Sequence, residues 1–90
     1  MDIVWDPSKA ESNVAKHGVS FADAESVLFD PYAVTIEDSR IANEDRYVTI
    51  GMDALGRIFV VVYEIQEETL RIISARAATP GETKTYEAGI

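Results

Sequence analysis

Residues 57–65 of this 90-residue chain have the sequence RIFVVVYEI. Their side chains alternate between two sets of positions, and both sets are apolar. One set is Ile58, Val60 and Val62, and the other is Phe59, Val61 and Tyr63. A strand that is apolar on both faces is typical of the middle of a sheet whose two faces are both covered. We therefore predict a central β-strand here.

Further strand patterns lie on both sides of this stretch. Apolar and polar residues alternate in residues 33–37 and Arg46–Met52, and residues 70–75 are a further strand candidate. Such alternation predicts half-buried strands. Residues 53–56 and 66–69 supply turns, and the polar residues 38–45 supply a loop or a hairpin connection. Together with the central strand, these segments predict a four-stranded antiparallel meander.

Two helices are predicted before the meander. Asp6 is a helix N-cap followed by Pro7 at the first helical position, and Gly18 is placed to end this helix after His17 in the left-handed conformation. Ser20 is the predicted N-cap of a second helix. The buried stripe of that helix is predicted to be Phe21, Ala24, Val27 and Leu28.

The two ends of the chain complete the predicted fold. Thr79-Pro80-Gly81-Glu82 has the pattern of a capping box, with threonine at the cap and glutamate three residues later. Glu82 and Tyr86 would then lie on the same face of a short last helix. Residues 2–5 are a short apolar stretch that fits an edge strand. The elements predict a single α+β domain over residues 1–90, with two helices after a short strand, the meander and a C-terminal helix.

Composition limits the kinds of site that the chain can carry. Sixteen acidic and eight basic residues give a net charge of −8, which opposes non-specific binding to nucleic acid, so the fold would have to gather the few basic residues. The absence of cysteine excludes disulfides and thiolate metal sites, and one histidine argues against a catalytic zinc site. No apolar run approaches the ~18 residues of a membrane span. We expect a cytoplasmic protein without cofactor or metal.

The single histidine, His17, has two interpretations. Histidine is the residue type whose ordinary charge change falls near physiological pH, which suits proton transfer. His17 is also predicted to share an apolar helix face with Ala10 and Val14, at a helix C-terminus where a cation is favoured. The neighbouring Lys16 is open to the same two interpretations, because it could contact phosphate or the last carbonyls of the helix.

Several blocks of the sequence, in this order, resemble the BrnT toxins. The blocks are Trp5-Asp6-Pro7, Lys9, Asn13, Lys16-His17-Gly18-Val19-Ser20-Phe21, Ala24, Phe29-Asp30-Pro31, Glu44-Asp45-Arg46, Gly51, Arg71-Ile72-Ile73-Ser74-Ala75-Arg76, Thr79, Glu82 and Tyr86. Such toxins are small ribonucleases of bacterial type II toxin–antitoxin systems with a RelE-like fold. The resemblance implies an mRNA substrate, inhibition of translation, and a hetero-oligomer with a DNA-binding antitoxin, within which the toxin could also dimerise.

The resemblance also implies a chemistry and its residues. Metal-independent cleavage of RNA uses the 2′-hydroxyl as nucleophile, and needs a base, an acid and cations that stabilise the developing phosphoryl charge. Arginine suits the last task because its planar fork donates two parallel hydrogen bonds. The candidates that the resemblance supplies are Arg46, Arg71, Arg76, Lys16 and His17, with Glu82 and Tyr86 as additional candidates. For Glu82, the helix cap is the simpler explanation.

Two features oppose this expectation. In a regular strand Arg71 and Arg76 point to opposite faces, and they could contact one phosphate only if a bulge intervenes or if Arg76 lies past the strand end. We expect one of them to pair with an acid such as Glu64 or Asp45. Ala77 stands where many such toxins have a lysine. An alternative function is therefore a weak or inactive BrnT-like binding module that acts only in a regulatory complex with its antitoxin.

Overall fold

A computed structural model describes residues 1–37 and 45–89, which form an α+β fold. The elements along the chain are β1 (Asp2–Val4), α1 (Pro7–His17), α2 (Phe21–Val27), β2 (Val34–Glu37), β3 (Arg46–Met52), β4 (Ile58–Gln66), β5 (Thr69–Ala77) and α3 (Pro80–Ala88). The strands form one sheet in the order β1-β5-β4-β3-β2. The connection predicted over residues 38–45 lies, up to residue 44, outside the described residues.

The sheet confirms the meander and corrects its size. β4 lies in the middle of the sheet, and β2, β3, β4 and β5 pair antiparallel in chain order, as predicted. The sheet as a whole has five strands and is mixed, because the short N-terminal strand predicted at an edge, β1, joins the meander parallel to β5, with Asp2 opposite Thr69 and Val4 opposite Arg71. A three-residue strand has too few positions for its periodicity to show its partner or its direction.

The predicted starts of all three described helices and the predicted end of α1 are confirmed, whereas α2 ends at Val27 and not at Asp30-Pro31 as the sequence predicts. The Asp6 side chain accepts a hydrogen bond in the first turn of α1, and Gly18 ends that helix with a φ of 70°. Ser20 caps α2 in the same way as Asp6 caps α1. Thr79 and Glu82 form the reciprocal capping box at the start of α3. Local sequence signals therefore determine where all three described helices begin.

The main core lies between the sheet and the first two helices. Its buried residues are Val19, Phe21, Ala24, Val27, Phe59, Val61, Tyr63, Leu70, Ile72 and Ala75. Three of the four residues predicted for the stripe of α2 are thus fully buried, and Leu28 is partly buried. One face of the sheet is covered by α1 and α2.

The opposite face is covered only at one end by a described helix. There Tyr86 of α3 is buried against Ile50 and Val60, in a small second cluster. Neither α1 nor α2 reaches this side of the sheet, which leaves polar side chains of β3, β4 and β5 at its other end. Among the described helices, none is long and apolar enough to cross a membrane.

Candidate active site

A β-bulge interrupts β5 at Ile73. Val62 of β4 lies opposite Ser74, whereas the next residue of β4, Tyr63, lies opposite Ile72, so Ile73 has no partner of its own. A bulge inserts one extra residue into one strand, and the side chains beyond it change face relative to a regular strand.

The bulge brings Arg71 and Arg76 to the same face of the sheet. Leu70, Ile72 and Ala75 all point into the main core. Arg71 lies between the first two of these residues and Arg76 follows the third, so both arginines point to the opposite face. The bulge that the sequence required for this arrangement is present.

Arg46 joins this face through cross-strand pairing. Arg46 lies opposite Glu64, and Glu64 in turn lies opposite Arg71. Residues that are directly opposite in neighbouring strands share one side of the sheet, so the three side chains form a row across β3, β4 and β5. The Nη2 of Arg46 is 3.8 Å from Oε2 of Glu64. We call the surface formed by Arg46, Glu64, Arg71, Ser74 and Arg76 the arginine face.

The two arginines of β5 differ in their partners. Arg76 donates from Nη1 and Nη2 to the two carboxylate oxygens of Glu82, at 2.7 and 2.8 Å. Arg71 is exposed, and its side chain makes no hydrogen bond or ion pair within the described part of the chain. The prediction that one of them pairs with an acid is confirmed, but the partner of Arg76 is Glu82 of α3. Arg71 is therefore the arginine that is ready to bind a ligand.

Glu82 is held as a carboxylate by this arrangement. Hydrogen bonds from Arg76 lower the pKa of Glu82 to about 2, and the ion pair raises the pKa of Arg76. The backbone N–H of Thr79 also donates to Oε1 of Glu82, at 2.9 Å. Since Glu82 carries no proton at neutral pH, its geometry fits a helix cap and an ion pair rather than a proton donor.

Tyr86, the other additional candidate, lies away from the open part of the arginine face. Only 2% of its surface is exposed, and its hydroxyl donates to Oδ2 of Asp30 at 2.6 Å. That hydrogen bond raises the pKa of Tyr86 to about 12. The backbone N–H groups of Tyr32 and Met52 also donate to Asp30. The contacts of Tyr86 therefore attach α3 to the rest of the fold.

The interpretation of His17 as a packed residue on an apolar helix face was wrong. His17 and Lys16 are exposed, and Val14, predicted for the same buried face, is 48% exposed. The two basic residues line a shallow groove whose other side includes Ile73 and Ser74. The groove therefore brings Lys16 and His17 beside the bulge, next to a residue of the arginine face.

Asn13, for which the sequence predicted no role of its own, holds α1 in this position. It is the buried residue of α1. Its Nδ2 donates to the carbonyl oxygens of Ala75 and Val19, at 2.8 and 2.9 Å, and its Oδ1 accepts from the N–H of Ala75 at 3.1 Å. The amide thus pairs with the edge of β5 as a neighbouring strand would. Asparagine is a poor residue for a helix interior, and that was the signal available in the sequence.

The described residues contain no group of three or more His, Cys, Asp or Glu side chains that could hold a metal ion. The Nε of Arg46 is buried and has no hydrogen-bond partner among them. The groups that the described site offers to a ligand are therefore cations, one imidazole and the hydroxyl of Ser74.

Comparisons with known proteins agree on one family. Residues 5–82 match the family model of the ribonuclease toxin BrnT of type II toxin–antitoxin systems. The structure is similar to the crystal structure of the Brucella abortus ribonuclease toxin BrnT, with 34% sequence identity and a TM-score of 0.68 over 88% of this chain and 97% of that one. Comparison with curated proteins gives no match. The finer expectation of a RelE-like fold is not part of these matches and stays a prediction.

Proposed function

The chain belongs to the BrnT family of ribonuclease toxins of type II toxin–antitoxin systems, and we propose that it is an endoribonuclease whose active site is the arginine face. The observation that carries this proposal is the bulge at Ile73. It turns Arg71 and Arg76 to the same side of the sheet as Arg46. In a chain with a net charge of −8, three arginines on one face form a local site for an anionic ligand.

We propose that cleavage proceeds without a metal ion. The His17 imidazole removes the proton from a 2′-hydroxyl, whose oxygen attacks the adjacent phosphorus. The bond from phosphorus to the 5′-oxygen breaks, and the leaving oxygen takes a proton from the ammonium group of Lys16. The products are a 2′,3′-cyclic phosphate and a 5′-hydroxyl. Support for these roles comes from the groove that places Lys16 and His17 beside Ser74.

The arginines would stabilise the phosphates along the RNA strand. Arg71 and Arg76 are five positions apart in β5, so their Cα atoms are separated by about 16 Å at the usual rise of a strand. The two guanidinium groups therefore suit different phosphates of one strand better than a single one. Preorganised cations of this kind act on the charge that develops in the transition state. Arg71 would be the first contact because it has no partner within the described residues.

The cellular role follows from the family. A type II toxin implies an antitoxin partner and an RNA target. We propose that the RNA is mRNA, that its cleavage inhibits translation, and that the antitoxin carries a DNA-binding domain and forms a hetero-oligomer with this chain. The support for these finer statements is the resemblance of the sequence blocks to BrnT toxins.

A second candidate function is a BrnT-like module that binds its antitoxin without cleaving RNA. The ion pair between Arg76 and Glu82 favours it, because that pair occupies one of the three arginines. The absence of a lysine at Ala77 and the acidic net charge point in the same direction. The two functions differ in whether the isolated protein breaks RNA.

A cleavage assay with a labelled single-stranded RNA in the presence of EDTA tests the proposal. We expect products with cyclic phosphate ends, and a loss of kcat/KM of about 10²-fold or more in Arg71→Ala, since one charge-stabilising contact is typically worth that much. His17→Gln should lower cleavage by at least ~100-fold with little change in melting temperature. Lys84→Ala is the matched control, because it removes one exposed positive charge of α3.

A negative result in the same cleavage assay supports the binding module. If the folded wild-type protein leaves RNA intact both with EDTA and with Mg²⁺, the ribonuclease proposal fails. Expression without the antitoxin gives the cellular version of the test. Growth arrest that disappears in Arg71→Ala supports the enzyme, and normal growth with folded wild-type protein contradicts it.

A further inference from the structure

One arginine of the arginine face already holds an anion, and that anion belongs to the protein. The two terminal nitrogens of Arg76 donate in parallel to the two oxygens of Glu82, at 2.7 and 2.8 Å. Arginine uses the same paired geometry to bind a phosphate group. Glu82 and a phosphate of RNA would therefore compete for the same two nitrogen atoms.

Glu82 is fixed in this position from its own helix. It is the third residue of α3, and its Oε1 also accepts the backbone N–H of Thr79, whose hydroxyl accepts the N–H of Glu82 at 3.2 Å. One turn later, Tyr86 is buried and bound to Asp30. The helix α3 is thus attached to the rest of the fold at two points, the ion pair of Glu82 with Arg76 and the hydrogen bond of Tyr86 to Asp30. If the carboxylate of Glu82 leaves Arg76, the first of these attachments is weakened.

The pair is accessible to a competing ligand. The side chain of Arg76 is 42% exposed and that of Glu82 is 28% exposed. The low pKa of Glu82, about 2, keeps it charged at any pH at which RNA would be bound. A phosphate that approaches Arg76 from solvent therefore meets a neutralised ion pair and not a free cation.

We propose that Glu82 is an internal competitor of RNA. Its carboxylate occupies the two terminal nitrogens of Arg76, which would otherwise bind a phosphate, until the ion pair opens. This inference rests on the proposed function, in which the arginine face binds RNA phosphates. Glu82 then lowers the affinity for RNA through Arg76 and takes no part in proton transfer. The position of α3 becomes coupled to the binding of RNA, because the same carboxylate caps the helix and holds the arginine.

Binding of an RNA that cannot be cleaved tests the competitor without requiring activity. The probe is a fluorescent single-stranded oligonucleotide with 2′-O-methyl groups, which lacks the nucleophile of the cleavage reaction, and anisotropy gives its Kd. Glu82→Gln keeps an oxygen that can accept the N–H of Thr79 but removes the charge that holds Arg76. We expect this variant to bind the probe about tenfold more tightly than the wild type, the scale of one charge-assisted hydrogen-bonded contact.

The matched control is Glu87→Gln, on the same helix. Glu87 is exposed, and its replacement changes the net charge by the same single unit without touching Arg76. It should tighten binding by less than about twofold, the size of a small screened charge effect. Glu82→Asp is the second test variant. It keeps the negative charge but shortens the side chain, which removes the paired hydrogen bonds to Arg76. We therefore expect it to bind the probe more tightly than the wild type as well.

A double-mutant cycle assigns the effect to Arg76. In an Arg76→Ala background, Glu82→Gln should tighten binding no more than Glu87→Gln does, because the guanidinium group for which Glu82 and RNA compete is absent. Melting curves of all variants confirm that each is folded under the assay conditions.

The outcomes separate this inference from the ribonuclease proposal. Equal affinities of Glu82→Gln and Glu87→Gln, weaker binding by Glu82→Gln, or the same tightening by Glu82→Gln with and without Arg76 would each overturn the competitor. Absence of probe binding by all variants would overturn it as well. If Glu82→Gln binds tightly through Arg76 but unmodified RNA stays intact, the competitor stands and the ribonuclease proposal fails.

Discussion

At the scale of single residues, Asn13 shows how one amide organises the candidate site. It satisfies both the N–H and the carbonyl of Ala75 on an edge of β5 that β1 does not cover. A third hydrogen bond reaches the carbonyl of Val19, at the connection between α1 and α2. Since Lys16 and His17 follow on the same helix, the position of both basic residues depends on this buried amide.

Replacing Asn13 with alanine should therefore destabilise the protein strongly. The change leaves three buried backbone groups without their partner, and we expect a loss of about 3 kcal/mol in the free energy of unfolding. Urea denaturation followed by circular dichroism measures it. Ser12→Ala, at an exposed neighbouring position, is the control and should change stability by less than about 0.5 kcal/mol. Equal stability of the two variants would contradict the role given to the amide.

Glu82 gives the fold a defined pH dependence. Hydrogen bonds from Arg76 lower its pKa from 4.5 to about 2. A carboxyl group whose pKa is lowered on folding stabilises the protein above its unfolded pKa, and the stabilisation is lost as the pH falls through the folded pKa. We expect about 1–2 kcal/mol, after allowance for solvent screening, to disappear progressively between pH 4.5 and 2.

Urea unfolding of the wild type and of Glu82→Gln across this pH range checks the prediction. The wild type should be the more stable protein at neutral pH, and the two free energies of unfolding should converge at low pH. Other carboxylates titrate in both proteins, so only the difference between the curves reports on Glu82. Curves that stay parallel from pH 7 to pH 2 would show that the ion pair does not contribute.

The candidate residues of the site could be named from the sequence, but their surroundings could not. Arg46, Arg71 and Arg76 were identified by their blocks, and the structure brings all three to one face. Their partners depend on contacts between elements that are distant in the chain, and no local pattern reports such contacts. The exposure of His17 could not be predicted for the same reason, because α1 contacts the core through Ala10 and the buried Asn13, while Val14 and His17 stay exposed.

At the scale of elements, the bulge in β5 is the feature on which the arginine face depends. It falls within Ile72-Ile73-Ser74, where two adjacent isoleucines fit a strand of either register. The periodicity of the sequence therefore allowed a bulge without locating it. The strands, the helices and the capping signals were predictable because each rests on a pattern of a few neighbouring residues. The parallel pairing of β1 was not, because its partner β5 lies far along the chain and three residues show neither the partner nor the direction.

Deleting Ile73 tests the assigned bulge directly. Without the extra residue, Leu70, Ile72 and Ala75 would alternate regularly with Arg71, Ser74 and Arg76, so both arginines would keep their face. We therefore expect the deletion variant to fold cooperatively and to lose less than about 3 kcal/mol, the scale expected if an unpaired charge were buried. Ile73→Ala is the matched control, since it keeps the residue count and the bulge. Amide exchange of β5 should show protection in both variants, and loss of protection or of cooperative folding in the deletion variant alone would contradict the assigned register.

At the scale of the whole molecule, the acidic surface and the arginine face act against each other. A net charge of −8 repels an RNA strand at long range. The attraction is confined to the few cations that the sheet gathers, and it should be weakened rapidly by salt. Affinity for RNA is therefore expected to depend on a small, countable set of contacts and not on a general positive potential.

The number of phosphate contacts can be measured from the dependence of RNA affinity on salt concentration. For single strands, log K falls with log salt by about 0.7 per neutralised phosphate, so Arg46 and Arg71 predict a slope of about −1.4, and Arg76 adds about 0.7 only when its ion pair with Glu82 opens. Arg71→Ala should bind with a slope about 0.7 shallower, because one phosphate contact is lost. Lys84→Ala changes the net charge equally but lies on α3. It should shift the plot of log K against log salt without changing its slope. The measurement uses the 2′-O-methyl oligonucleotide at several salt concentrations. If Arg71→Ala and Lys84→Ala give the same slope as the wild type, RNA is held elsewhere on the molecule, and the arginine face is not the binding site.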